Sequence, residues 1–120
     1  MTMVKYRIKS LMLHQELTAE KWQKLSFFDQ MANIGAEIGR AINWKEKDKE
    51  KSQASFERGL ELLDLTIQDS KNKQGLKELC RLREFLADYF YFGNTYGSTE
   101  KSWENYFYNF NYAAAIQRGL

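Results

Sequence analysis

The sequence predicts an all-α fold, an antiparallel up-down-up-down four-helix bundle carrying an N-terminal appendage, and three observations predict it. Four stretches repeat apolar residues every three or four positions, the spacing that lines up one face of a helix. The links between them are short and polar, which makes neighbouring helices antiparallel. None of the 120 residues is proline, so the strongest helix breaker is missing. We divide the chain into an appendage over 1–24 and a bundle over 25–120.

The first bundle helix is expected over 26–46, where Met31, Gly35, Ile38 and Ile42 form a stripe widened by Ile34 and Ala41. Ser26, with Asp29 three residues on, resembles a capping box built with the shorter acid. The alternating run Lys45-Glu46-Lys47-Asp48-Lys49-Glu50-Lys51 reads as a solvated turn. A second helix over 50–70 places Phe56, Leu60, Leu63 and Ile67 on one face, with Leu62 and Leu65 beside them. Ser70-Lys71-Asn72-Lys73 breaks it before Gly75.

The third helix, over 75–92, aligns Leu76, Leu79, Leu82 or Arg83, Leu86 and Phe90. Gly93-Asn94-Thr95-Tyr96-Gly97 then supplies the residues that best tolerate a left-handed stop. Ser98 is expected to cap the fourth helix, with Glu100 in its first turn, where a negative charge suits the helix dipole. Trp103, Phe107, Phe110 and Ala114 carry that helix to about 118.

Within the appendage, Val4, Tyr6 and Ile8 alternate with Lys5, Arg7 and Lys9 in a strand-like period. Pairing with another copy, a short extra helix and a mobile extension all stay open for it.

An apolar share of 43% against 28% charged residues places the chain among globular proteins rather than disordered ones. The single cysteine, Cys80, excludes an internal disulfide; beside Leu79 it reads as a small buried apolar residue. No run approaches the roughly 18 apolar residues of a membrane span, and no secretory pattern follows the first basic residues. Cytoplasm without membrane attachment is the expectation.

Net charge is +2, unevenly placed. Residues 1–24 hold five basic and two acidic side chains, a net of +3, which leaves 25–120 at −1. The bundle therefore lacks the basic balance of a nonspecific nucleic-acid binder.

Gly35-x-x-x-Gly39 and Ser55-x-x-x-Gly59 place small residues one turn apart, which reads as close packing of the first two bundle helices against each other. The last two helices are aromatic around most of their circumference. Beyond the core stripes stand Phe85, Tyr89, Phe92, Tyr106, Tyr108 and Tyr112. A helix apolar on more than one face has more than one face to bury, and tyrosine is enriched at interfaces. These six residues are the candidate surface of a homo-oligomer.

The search for chemistry returns little. One histidine, His14, and one cysteine in different segments suit neither zinc nor a di-iron centre, so no cofactor is expected. Arg7 and His14 stand at the spacing used by HEPN ribonucleases, but that motif belongs near the end of a bundle helix. Glu57, Glu61 and Asp64 form an acidic stripe, read as a solvated or salt-bridged face with Arg58, Arg81 and Arg83 as partners. An enzyme reading would require that stripe to be buried in a cleft. Lys73, Lys77 and Arg81, four apart, are the candidate phosphate contacts. The glycines at 93 and 97 lack the following Lys and hydroxyl of a phosphate loop.

Asn33-Ile34-Gly35-Ala36-Glu37-Ile38, the segment from Ser55 to Asp64, Leu79-Cys80-Arg81-Leu82-Arg83-Glu84 and Trp103-Glu104-Asn105-Tyr106-Phe107 together resemble a family of short, uncharacterised prokaryotic proteins. In its four-helix layout the chain is also similar to the 23S rRNA intervening-sequence proteins and to the accessory variability proteins of diversity-generating retroelements. That similarity implies a ring-like homopentamer. For the retroelement group it also implies binding of nucleic acid and a reverse transcriptase through basic surfaces, a character from which the near-neutral bundle departs. It assigns no particular site residue.

Two functions follow as expectations. The first is a non-enzymatic, oligomeric scaffold or partner-binding bundle. The second is a nucleic-acid-binding accessory protein whose basic stripe is multiplied by assembly.

Overall fold

The computed structural model describes residues 19–119, and every regular element among them is helical. Helix α1 spans Ala19–Gln23, α2 Phe27–Trp44, α3 Lys49–Gln68, α4 Leu76–Tyr91 and α5 Glu100–Gln117, with a 3-10 turn over Ser70–Gly75. The strand-like alternation at Val4–Lys9 and the residue His14 lie outside the described residues. No described helix is long and apolar enough to cross a membrane.

Local chemistry sets the helix ends. Ser26 is extended and its hydroxyl accepts the Asp29 N–H at 3.1 Å, starting α2. Asp48 does the same for Lys51 at the head of α3, so the alternating charges do form the turn. The head of α5 corrects an expectation. Thr99, not Ser98, is its cap, forming a reciprocal pair with Ser102, while the Ser98 N–H is taken by Asn94 Oδ1.

The core is drawn from all five helices. Ile38, Leu63, Leu86 and Phe107 have 1%, 0%, 0% and 5% of their surface exposed. On α3 the buried face runs through Ser52, Ser55, Phe56, Gly59, Leu62, Leu63 and Thr66, so Leu60 and Ile67 are only half-buried. Cys80 is exposed, against expectation. Leu79, Leu82 and Leu86 set the inward face of α4, and one residue further on a helix turns about 100° away.

Helix α2 packs on both α3 and α5. At Gly59 a Cβ would lie 3.0 Å from Ile38 Cδ1, so this glycine does mark close packing of α3 on α2. Gly35 instead faces α5: a Cβ there would stand 2.8 Å from Phe107 Cβ. Two polar contacts join the start of α2 to the end of α5, Ser26 Oγ to Gln117 Oε1 at 2.8 Å and Arg118 to Asp29 at 2.6 Å.

Within the stretch set apart as an appendage, α1 sends Trp22 into the core, 2% exposed, and its indole N–H donates to Thr66 Oγ1 at 2.9 Å. The surrounding groups complete a buried polar network. Gln30 Nε2 donates to the Trp22 carbonyl at 3.0 Å and to Asp69 Oδ2 at 2.9 Å. Asn72 Nδ2 donates to Gln30 Oε1 at 2.9 Å and to the Thr66 carbonyl at 3.0 Å. Lys71 closes the set on Asp69. The polar break at 70–73 is therefore an ordered turn held from inside.

Candidate functional site

The exposed aromatic residues fall on α4, α5 and the loop between them; of the basic stripe, Lys77 and Arg81 stand on α4, whereas Lys73 lies in the 3-10 turn before it. The loop from α4 to α5 is built on two side chains. Asp88, buried near the end of α4, accepts the N–H groups of Thr95 at 2.9 Å and Tyr96 at 3.0 Å. Asn94 is left-handed at φ 57°, and its side-chain amide brackets Ser98 through both N–H and carbonyl at 2.8 Å. Gly93 and Gly97 take φ 80° and 70°, as the left-handed stop required. Held this way, Tyr96 stacks flat on Phe85, centroids 4.3 Å apart, and its hydroxyl donates to Glu84 at 3.0 Å.

The six candidate interface residues separate into two groups. Phe92, Tyr108 and Tyr112 are 69%, 64% and 61% exposed. Phe85, Tyr89 and Tyr106 are half-buried and edge the core. Tyr89 lies under the Lys45 ammonium at 4.1 Å, and Tyr106 packs against Trp103, Phe107 and Phe110. Burial pushes the Tyr106 phenol up to about 12, with the Glu78 charge adding to it. Four more large apolar residues are exposed: Tyr91, Tyr96, Ile116 and Leu76, the last expected in the core stripe of its helix but placed at the start of α4, 39% exposed. Tyr108, Tyr112 and Ile116 were detectable as a stripe, since each stands four residues from the next.

Of the basic stripe, Lys73, Lys77 and Arg81 are all exposed. Lys77 and Arg81 edge a groove of about 590 Å³ between α4 and α5. Glu78 stands on the same rim, and Leu82, Phe85, Trp103 and Tyr106 supply the apolar wall. Trp103 is 5% exposed, yet its indole N–H has no acceptor among the described residues.

The acidic stripe is divided. Asp64 is paired with Arg83, whose guanidinium donates at 2.7 and 3.3 Å, and that bond raises the Arg83 pKa. Glu57 accepts from Tyr91 Oη at 3.3 Å. Burial raises the Glu57 carboxyl above its ordinary value, the Tyr91 bond opposes this, and the Glu61 charge adds to it. Arg58 is engaged elsewhere, at 2.9 Å from the buried Glu37, which also binds Arg40 at 2.6 Å. Among the described residues no group of His, Cys, Asp and Glu is arranged to hold a metal ion.

Comparison with protein-family models, with curated proteins and with solved structures finds no match to this chain.

Proposed function

We propose that the protein is a non-enzymatic, homo-oligomeric scaffold, a four-helix bundle that associates through the outward face of α4, α5 and their loop. One observation carries this reading. The large apolar side chains left exposed among the described residues all fall between Leu76 and Ile116, with none from 19 to 75. Exposed large apolar side chains concentrated on two helices and their loop, with none on the other described helices, suit association through those elements. The bundle arrangement is part of the same proposal. It is supported by α2–α3 pairing from Gln30–Asp69 at one end to Ser52–Ala41 at the other, and by Gly35 against Phe107 with Ser26 against Gln117.

The test is light scattering at micromolar concentration on the wild type and on a Tyr108→Glu/Tyr112→Glu variant. A multiple of 14.2 kDa for the wild type, reduced in the variant, is expected. A wild-type mass of 14.2 kDa would overturn the reading.

The exposure of Lys73, Lys77 and Arg81 favours a second reading, phosphate-backbone binding by the assembled particle. RNA binding that weakens steeply with salt would support it, and no binding at low salt would remove it.

A further inference from the structure

We propose that the groove between α4 and α5 is a binding site for a small aromatic anion, a flat ring system carrying a carboxylate or phosphate. The donors around it are in surplus. Of the arginines in the described residues, Arg40, Arg58, Arg83 and Arg118 each hold a carboxylate. Among the described residues Arg81 meets no carboxylate, and neither does Lys77 one turn earlier. Glu78 shares their rim without forming an ion pair to either.

Trp103 lines the same groove, and its indole N–H is buried without an acceptor among the described residues. Buried donors are nearly always satisfied, so an unmet one at a cavity wall points to a missing acceptor. One unmet indole N–H and two exposed cations free of any carboxylate among the described residues, all lining one groove, favour an anionic oxygen there.

The rest of the ligand is read from the wall. Phe85, Trp103 and Tyr106 offer aromatic surface, and about 590 Å³ falls within the usual range of small-molecule pockets. Trp103 also borders a recess of about 210 Å³ on the side of α2, lined by Gly39, Glu104 and Asn111 among others. No cation lines that recess, so the anion belongs to the larger groove.

The site does not rest on the assembly proposed above. At about 100° per residue, Tyr108 and Tyr112 lie roughly half a turn around α5 from Tyr106 and Trp103. The part of the interface formed by Tyr108 and Tyr112 therefore lies away from the groove.

The experiment is a titration with 2-naphthoate, read by the indole N–H resonances of Trp22, Trp44 and Trp103 in a nitrogen-15 correlation spectrum and assigned with Trp103→Phe. The Trp103 signal is expected to move downfield. The Trp22 signal, already bonded to Thr66, is expected to stay. Lys77→Gln/Arg81→Gln should weaken the affinity at least about tenfold while leaving the helical circular dichroism unchanged. The Tyr108→Glu/Tyr112→Glu variant should bind as the wild type does, whatever its mass. A Trp103 signal unmoved at millimolar naphthoate would overturn the proposal. So would equal affinity in the Lys77/Arg81 variant, or equal affinity for inorganic phosphate or decanoate, either of which would remove the aromatic requirement.

Discussion

Gly35 on α2 lies directly against Phe107 on α5, so close that a Cβ at position 35 would be 2.8 Å from the Phe107 Cβ. A Cβ–Cβ clash cannot be relieved by rotating a side chain; the helices themselves must part. Gly39, one turn further along α2, has nothing within 4 Å of the same notional atom. Two glycines in one helix thus have opposite meanings. Gly35→Ala is expected to destabilise the fold by about 1–3 kcal/mol, the usual penalty for overpacking. Gly39→Ala is expected to stabilise it by about 0.5–1 kcal/mol, since it only removes backbone entropy from the unfolded chain. Urea denaturation of the two variants decides the matter, and equal shifts would contradict the packing.

A second expectation concerns acid. Burial raises the pKa of the Asp69 carboxyl, but bonds from Lys71 and Gln30 outweigh it, so the net shift is downward from 3.8. A carboxylate whose pKa is lower folded than unfolded stabilises the fold above the unfolded value. That contribution fades as pH falls through the folded value. The wild type should therefore lose stability below about pH 4, and Asp69→Asn should flatten that limb. At neutral pH the same variant should cost about 1–3 kcal/mol, because one of the buried donors it now serves is left unmet. Chemical denaturation at several pH values measures both effects.

At the alkaline end, the phenols of Tyr91 and Tyr106 are both pushed up to about 12. For Tyr91 burial leads, followed by the negative charge of Glu57 and the bond to it. A raised phenol favours the folded state below its unfolded value near 10, and that contribution disappears as pH climbs through about 12. Phenolate absorbance should accordingly resolve at least two late-titrating groups in the native protein, with Tyr96 also raised by its bond to Glu84. Tyr91→Phe removes one of them. Seven tyrosines rising together at their ordinary value would refute the burial of both.

Much of the helical layout was legible because apolar spacing and turn residues speak directly to it. Gly93, Asn94 and Gly97 mark a left-handed stop in the sequence itself, and Ser26 marks a cap. What escaped was carried by polar or small residues on inward faces. Ser52, Ser55 and Thr66 on α3 are buried, with 6%, 3% and 0% exposed. Small and polar, they interrupt the apolar spacing, which points instead to Leu60 and Ile67. Trp22 escaped because α1 is five residues long, too short to show a period. Cys80 was misplaced by its neighbour Leu79: adjacency in sequence is not adjacency on a helix.

For the candidate site, the basic residues were legible but their setting was not. Lys77 and Arg81 were identified by spacing alone, whereas the groove depends on how far α4 stands from α5. That distance is set by packing against other helices, and nothing in the local sequence encodes it. Phe85, Tyr89 and Tyr106 were read as surplus because the helices that half-cover them lie elsewhere in the chain.

The polar network around Gln30 has a further effect. Layers of Leu, Ile and Phe are nearly interchangeable, so α3 could slide one turn along α2 and still meet oily neighbours. Such slippage would strand Gln30, Asp69 and Asn72 in a dry interior with no one to bond. The network thus works as a key cut for one alignment, and it makes every shifted arrangement of these two helices costly whether or not the shifted layers pack well.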